Sequence, residues 1–279
     1  MASSETLIRP RLAFLMERRV YRDAAELLLV ALAFLLYFIV RANVIDRQDV
    51  AFDNARQIVD AEQALGIFVE ASWQRAILDS EILVRFFNFV YFWLDFPLIA
   101  ALGLWMYVRR RKQYTFTRDA ILFSGALALV AYNLFPVAPP RLLPGTGMID
   151  TLQVFNNASY QAQSTEFFVN PYAAMPSLHV GWAVLVAVGM VLAFPDNRLV
   201  IALSAVHVVA QSASTIVTGN HYFLDGAGGL VTAAGGLMFA VFMQRHGYAL
   251  ARRWLGVEGR TGNELQAPSN EGTREKPRN

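Results

Sequence analysis

The sequence predicts an all-α protein, a polytopic membrane helix bundle with about six transmembrane helices and additional amphipathic helices at the membrane interface. Hydrophobic residues make up 55% of the 279 residues, and charged residues make up only 16%. The mean hydropathy of +0.36 fits a chain whose solvent is lipid rather than water. About six apolar stretches have the length that a helix needs to cross a bilayer.

Basic residues at the ends of these stretches predict their direction across the membrane. The predicted spans run from Ala24 to Val40, Ile82 to Val108, Ala120 to Val137, Leu178 to Phe194, Leu199 to Val217, and Tyr222 to Met243. Basic residues precede the first span, follow the second and sixth, and separate the fourth from the fifth; they include Arg18, Arg19, Arg22, Arg109, Arg110, Arg111, Lys112, Arg198, Arg245, Arg252 and Arg253. All of them fall on one side, which the positive-inside rule assigns to the cytoplasm. We therefore expect a multi-pass plasma membrane protein with both termini in the cytoplasm.

The spans divide the chain into a membrane domain and two terminal segments. Residues 1–23 are predicted to be a basic cytoplasmic N-terminus, which is retained because no small-residue cleavage site follows the first apolar run. The membrane domain covers residues 24–248. Residues 249–279 are mostly polar and are predicted to be a disordered cytoplasmic tail.

Two long connections are predicted on the extracytoplasmic side. In residues 46–78, apolar side chains recur at helical spacing, which predicts amphipathic helices lying in the membrane interface; a plain linker is the alternative. Residues 139–176 are rich in Pro, Gly, Asn and Gln, which is typical of an irregular loop.

Composition excludes several kinds of chemistry. The chain has no cysteine, so a disulfide, a thiolate nucleophile and a Cys-ligated metal are all impossible. The net charge is +2, but the basic residues flank apolar runs instead of forming one surface, so we expect no nucleic-acid binding. Apart from the candidate catalytic residues below, no acidic or histidine cluster has the spacing of metal ligands, and we expect neither a metal nor another cofactor.

Three polar clusters interrupt the apolar background, and the predicted topology brings all three to the extracytoplasmic ends of spans. They are the segments Phe135–Arg141, Met175–His179 and Thr218–Asp225. Ionisable residues at membrane depth are costly and usually functional. The convergence of three distant segments therefore predicts a site at this end of the bundle.

His221 and Asp225 form the first part of this site. They are four residues apart, so they share a face if the sixth helix has already begun. The carboxylate then holds one imidazole nitrogen and leaves the other free to act as a nucleophile.

The other two clusters supply an acid and an anion site. Pro176 and Ser177 are typical of a helix start, whose free N–H groups and positive dipole end favour an anion, and His179 lies in that first turn. Arg141 adds a permanent cation that can grip phosphate oxygens. A nucleophile, an acid and an anion clamp are the parts that phosphoryl transfer through a phosphohistidine requires.

The sequence Pro176-Ser-Leu-His179, followed by His221-Tyr-Phe-Leu-Asp225, resembles the type 2 phosphatidic-acid phosphatase superfamily, and most of all its inositol phosphorylceramide synthase-like (inositolphosphotransferase) branch. The resemblance extends from about the second span to the sixth. It implies that His221 is the nucleophile, Asp225 orients it, and His179 protonates the leaving group. It also implies that Ser177 and Arg141 bind phosphate.

The sequence departs from the phosphatase pattern of this superfamily at four positions. In the first motif, Leu134 stands where the pattern has Lys, and Leu142 stands where Pro follows the arginine. Thr215 stands where the third motif has Arg, and Leu178 replaces the Gly of the second. The loss of two cations favours the transferase-like branch. Asn133, Asn220 and Tyr222 are candidates for neutral hydrogen bonds to the substrate in place of those cations.

Further polar residues lie in the second span near its extracytoplasmic end. Arg85, Asn88 and Asp95 fall on one face of a continuous helix, so Asn88 and Asp95 are predicted to line the same pocket. Asp95 could accept hydrogen bonds from the hydroxyls of a polyol acceptor or assist the incoming nucleophile. A hydrogen bond between helices is the alternative.

These residues predict a membrane enzyme that passes phosphate, or a phosphorylated head group, from a lipid phosphate or phosphodiester to a hydroxyl acceptor at the extracytoplasmic face. A lipid phosphate phosphatase, with water as the acceptor, shares every step up to the acceptor and remains open. A transporter or channel is the alternative from another class, although the polar groups gather at one face instead of crossing the bilayer. An intramembrane serine protease using Ser177 lacks the glycine pattern of a nucleophile elbow.

Overall fold

The computed structural model describes residues 5–44, 46–155 and 171–254, and the regular elements in these ranges are helical. The predicted fold class, an all-α membrane helix bundle, is confirmed. The helices are α1 (Glu5–Val44), α2 (Gln48–Ala64), α3 (Glu70–Leu78), α4 (Glu81–Trp93), α5 (Phe96–Arg109), α6 (Arg111–Leu134), α7 (Thr151–Phe155), α8 (Leu178–Ala193), α9 (Arg198–Val217), α10 (Phe223–Phe242) and α11 (Tyr248–Trp254). A 3-10 turn covers Pro140–Leu142, and a π turn covers Met243–Gly247.

Helices occupy all the predicted spans. Segments Asp23–Val44, Arg198–Val217 and Phe223–Ala251 are long and apolar enough to cross a membrane, and α4 with α5 forms a fourth such unit. The third and fourth predicted spans correspond to α6 and to α8, a shorter apolar helix.

The second predicted span is not one continuous helix. It bends by 45° between α4 and α5. Asp95 caps α5 with φ −111° and ψ −109°, which is not helical, and a proline follows in the first turn of α5. A proline is accepted in the first turn of a helix but not in its interior, so the chain begins a new helix here.

Helix α11 includes the first residues of the predicted C-terminal tail, 249–254. Residues 248–254 form α11, which continues from α10 through the π turn. The Tyr248 hydroxyl accepts a hydrogen bond of 2.7 Å from Arg118 and donates one of 2.5 Å to Asp119, and these contacts hold α11 against α6. The rest of the predicted tail, and residues 156–170 of the predicted outer loop, lie outside the described residues.

Helices α6, α8, α9 and α10 form the centre of the bundle. Glycines allow their backbones to approach closely. A Cβ atom at Gly229 of α10 would lie 2.2 Å from the Ser177 carbonyl oxygen, and one at Gly236 would lie 2.3 Å from that of Ala120. This is the packing by small residues that membrane helices use.

Helices α2 and α3 pack across one end of the bundle, which we call the site end. The segment is helical, as the spacing of its apolar residues predicts; its place in the membrane interface stays a prediction. Gln74 of α3 donates hydrogen bonds to the carbonyl oxygens of Ile149 (2.9 Å) and Val217 (3.0 Å). Asn54 of α2 donates to the Pro136 carbonyl oxygen at 2.9 Å. Both helices are thereby fixed to the loops that carry the site.

Candidate active site

The three polar clusters meet at the site end of the bundle. Val137 forms an isolated backbone bridge with Ala173. The Arg141 N–H donates to the Gly219 carbonyl oxygen at 3.0 Å, and the Ser177 N–H donates to the Asp225 carbonyl oxygen at 2.8 Å. Backbone hydrogen bonds therefore join each cluster to another, and the three clusters converge at one end of the bundle as predicted.

His221 and Asp225 are in contact, although not through a shared helix face. Helix α10 begins only at Phe223, and the Asp225 carboxylate folds back to accept a 2.8 Å hydrogen bond from the Tyr222 N–H. This capping box brings Asp225 Oδ2 to 3.4 Å from His221 Nδ1. Asp225 is fully buried.

A backbone carbonyl selects the tautomer of His221. Its Nδ1 lies 2.7 Å from the Ala174 carbonyl oxygen, which can only accept a hydrogen bond. Nδ1 therefore carries the proton, and Nε2 has a free lone pair. This is the form of imidazole that can attack phosphorus.

His179 faces His221 from the second position of α8. The two ring centroids are 5.5 Å apart and the ring planes are tilted by 58°, so both imidazoles are close enough to contact the same substrate group. The His179 ring stacks on Tyr91, with centroids 4.3 Å apart and an interplanar angle of 16°. Ser177, the N-cap of α8, accepts a hydrogen bond of 3.5 Å from the Val180 N–H and fixes the turn in which His179 lies.

Asp95 is the close acidic partner of His179. Its Oδ2 lies 3.3 Å from His179 Nε2, and its side chain is only 3% exposed. The break between α4 and α5 produces this contact, because it releases Asp95 from the helix. The site therefore holds two pairs, each made of a histidine and an aspartate.

Arg141 lies beside His221 and is held by two partners. It donates hydrogen bonds to the side-chain oxygen of Asn220, the residue before His221, and through Nε to Asp150 Oδ2 at 2.9 Å. Asn220 in turn donates to the Thr218 hydroxyl at 2.8 Å. Asn220 therefore positions the guanidinium, and the arginine retains further N–H groups for an anion.

Two residues that the sequence predicts as substrate ligands have other contacts. Asn88 donates to the Thr151 carbonyl oxygen (2.9 Å) and accepts from the Thr151 hydroxyl (2.7 Å), so it fastens α7 to α4. The Tyr222 side chain is fully buried in the hydrophobic core at the site end, and it is the backbone N–H of this residue that contacts Asp225.

Arg85 pairs with Glu81 at 2.6 Å, with both side chains more than half exposed. The prediction that Arg85, Asn88 and Asp95 share one helical face is wrong because the helix ends before Asp95.

Sequence reasoning missed two buried carboxyl groups behind the site. Glu70 accepts a hydrogen bond of 3.0 Å from the Phe223 N–H, and Glu62 accepts one of 2.7 Å from the Leu224 N–H. Both side chains are fully buried. Burial and the neighbouring Glu70 carboxyl group raise the pKa of Glu62 to about 9. Glu62 lies four residues after buried Ile58 on α2, and this helical spacing was the signal in the sequence that its side chain faces inward.

Within the described ranges, no group of three or more His, Cys, Asp or Glu residues is arranged to hold a metal ion. The absence of a metal from the reaction stays a prediction.

A bundle of apolar helices with two facing imidazoles, buried carboxylates and an arginine at one end defines the class of membrane phosphatase-type enzymes. The family model described as the PAP2 superfamily matches residues 56–239, about two thirds of the sequence. The chain belongs to the PAP2 superfamily, and its activity is of the lipid phosphatase or phosphotransferase type. All the predicted site residues lie within the matched range.

The crystal structure of Aquifex aeolicus LpxE is similar to this chain. The two chains share 17% sequence identity with a TM-score of 0.45, and the match covers 62% of this chain and 93% of the other. A search of curated proteins found no match.

Proposed function

We propose that this protein is a lipid phosphotransferase that takes phosphate or a phosphorylated head group from a lipid donor, forms a phosphohistidine at His221, and passes the group to a hydroxyl acceptor. The observation that carries this proposal is the pair of facing imidazoles, of which His221 alone has its Nδ1 held by a backbone carbonyl and a buried carboxylate. Its Nε2 is thereby the better nucleophile.

The first half-reaction breaks the bond between phosphorus and the leaving oxygen. His221 Nε2 attacks phosphorus while protonated His179 gives its proton to the departing oxygen. The Asp95 carboxylate, 3.3 Å from His179 Nε2, stabilises the imidazolium before the transfer. Arg141 and Ser177 bind the phosphate oxygens, as the resemblance implies, and the first-turn N–H groups of α8 add donors to the same anion.

The second half-reaction restores the enzyme. The acceptor oxygen attacks phosphorus, the bond from phosphorus to His221 breaks, and the acceptor proton passes to the now neutral His179. Asp95 again stabilises the charge on His179. Asp95 therefore serves the acceptor through His179, which fits its contact better than direct binding of a polyol hydroxyl does.

The charge of the site supports a transferase of the inositol phosphorylceramide synthase-like branch. The side chains of Leu134 and Thr215 are uncharged, so neither brings a cation to the position where phosphatases of the superfamily have Lys and Arg. A phosphodiester carries one negative charge, whereas a phosphomonoester carries up to two, and the diester needs fewer cations. A site with less positive charge therefore suits transfer of a head group between two hydroxyl oxygens. The alternative, hydrolysis, differs only in using water as the acceptor.

The experiment that tests this function measures products from labelled lipids with purified protein. A phosphodiester lipid with a polyol or lipid hydroxyl acceptor should give a new phospholipid that wild type forms and His221→Ala does not. The matched control is His246→Ala, at the opposite end of the bundle. Release of inorganic phosphate from a monoester without any transfer product would favour the phosphatase, and no product of either kind would reject the proposal.

We further propose that the site end faces the extracytoplasmic side, with both termini in the cytoplasm. The basic flanks of the spans support this orientation. The chain has no cysteine, so single cysteines can be introduced at exposed Gln153 (site end) and Asp196 (opposite end). An impermeant thiol reagent should label the first and not the second in intact cells. The reverse labelling would invert the topology.

A further inference from the structure

Three carboxyl groups surround the first turn of α10. Asp225 accepts from the Tyr222 N–H, Glu70 from the Phe223 N–H and Glu62 from the Leu224 N–H, at 2.8, 3.0 and 2.7 Å. These are consecutive backbone donors at the start of the helix that carries Asp225. Two of the three caps come from other elements, α2 and α3, and fix this helix from outside.

Three buried negative charges at one helix start are more than its environment can compensate. A helix N-terminus supplies the equivalent of about half a positive charge, and all three side chains are fully buried. In addition, neither Glu62 Oε2 nor Glu70 Oε2 has an N–H or O–H partner in the part of the chain that the structure describes. Such oxygens are expensive to leave unpaired. One proton held between the two glutamates removes one charge and gives both Oε2 atoms a partner.

We propose that Glu62 and Glu70 are positioning residues that share one proton and, in that form, hold the start of α10 so that Asp225 stays against His221. This inference rests on the proposed function of His221 as nucleophile. In this role neither glutamate contacts the substrate, and the shared proton stays within the pair during the reaction.

The pair makes the site sensitive to alkaline pH. The groups that face Glu62 are Glu70 from α3, Asp225 from α10, and the Tyr222 hydroxyl, and loss of the shared proton would set like charges against one another. The pKa of Glu62 is raised from 4.5 to about 9. The folded protein therefore holds a proton across this range that the unfolded chain releases, so the free energy of unfolding should fall as pH rises from 4.5 to about 9. Activity should decline as pH passes about 9, where the folded pair itself loses the proton.

Glu62→Gln is the informative variant because the amide imitates the protonated acid. Its oxygen can still accept from the Leu224 N–H, while its NH2 group can donate to Glu70 without a titratable proton. The purified full-length variant should keep most activity near neutral pH, lose the alkaline decline that wild type shows, and have a melting temperature that depends less on pH. Glu62→Ala should lower kcat on the order of tenfold to a hundredfold, because the catalytic pair is no longer held. Glu81→Gln, an exposed glutamate on α4, is the control and should match wild type in both profiles.

The outcomes separate this proposal from the proposed function. If wild type transfers phosphate but Glu62→Gln keeps the wild-type alkaline decline and pH-dependent melting, the shared proton is rejected and the function stands. If wild type forms no phosphorylated product, the function fails, yet the flatter melting profile of Glu62→Gln would still support proton sharing in the fold. If neither Glu62→Gln nor Glu70→Gln folds, the pair requires two carboxylates and the proposal is overturned.

Discussion

Replacement of Asp95 by asparagine tests the second pair of the site, in which a buried carboxylate lies 3.3 Å from His179 Nε2. The change keeps size and hydrogen-bonding capacity but removes the negative charge that we propose stabilises the His179 imidazolium. A hydrogen bond between charged groups contributes about 1.5 to 3 kcal/mol. At about 1.4 kcal/mol for each factor of ten, Asp95→Asn should lower kcat/KM by about tenfold to somewhat over a hundredfold.

The loss should depend on the leaving group. An alkoxide departs only with a proton from His179, whereas an aryl oxide departs with little help. Lipid substrates should therefore show the full loss in Asp95→Asn, and an aryl phosphate should show a much smaller one. Initial rates of purified variants on both substrates measure this difference, with Asp53→Asn, an exposed residue of α2, as control. Equal losses on both substrates would refute the assignment of Asp95 to proton transfer and leave it a packing role.

His179→Ala should show the same leaving-group dependence, with a loss of roughly 100- to 10,000-fold on lipid substrates and a smaller one on aryl phosphates. Asp225→Asn should keep the fold by circular dichroism but reduce turnover, to an extent between wild type and His221→Ala, because the imidazole loses its orienting charge. Gly229→Ala should lower the free energy of unfolding by about 1 to 3 kcal/mol, since its Cβ would lie 2.2 Å from a carbonyl oxygen at the start of α8; Gly103→Ala, with no atom within 4 Å, should not. Activity should survive EDTA, and complete loss that a divalent ion restores would contradict a metal-free phosphohistidine mechanism.

The sequence predicts much of this fold because lipid imposes a simple requirement. A span needs a long apolar helix, and the six apolar stretches coincide with helices of the structure. The convergence of His179, His221 and Arg141 also follows from sequence, because span direction decides which loops share an end of the bundle.

Contacts that depend on local geometry could not be predicted. The break before Asp95 redirects this carboxylate toward His179, and a continuous-helix argument misplaces it. His221 precedes α10, so its contact with Asp225 depends on the capping box at the start of that helix. The tautomer of His221 depends on the Ala174 carbonyl oxygen. The contact of Asn88 could not be predicted because its partner, Thr151, lies 63 residues away in sequence.

The central claim is that His221 becomes covalently phosphorylated, and trapping the intermediate tests it most directly. Purified protein is mixed with a lipid donor labelled at phosphorus, quenched rapidly in denaturant at alkaline pH, and digested for peptide mapping by mass spectrometry. We expect an acid-labile phosphoryl group on the peptide that contains His221, which disappears in His221→Ala and persists in His179→Ala with an aryl phosphate donor. Label that survives in His221→Ala, or that maps to His179, would contradict the account.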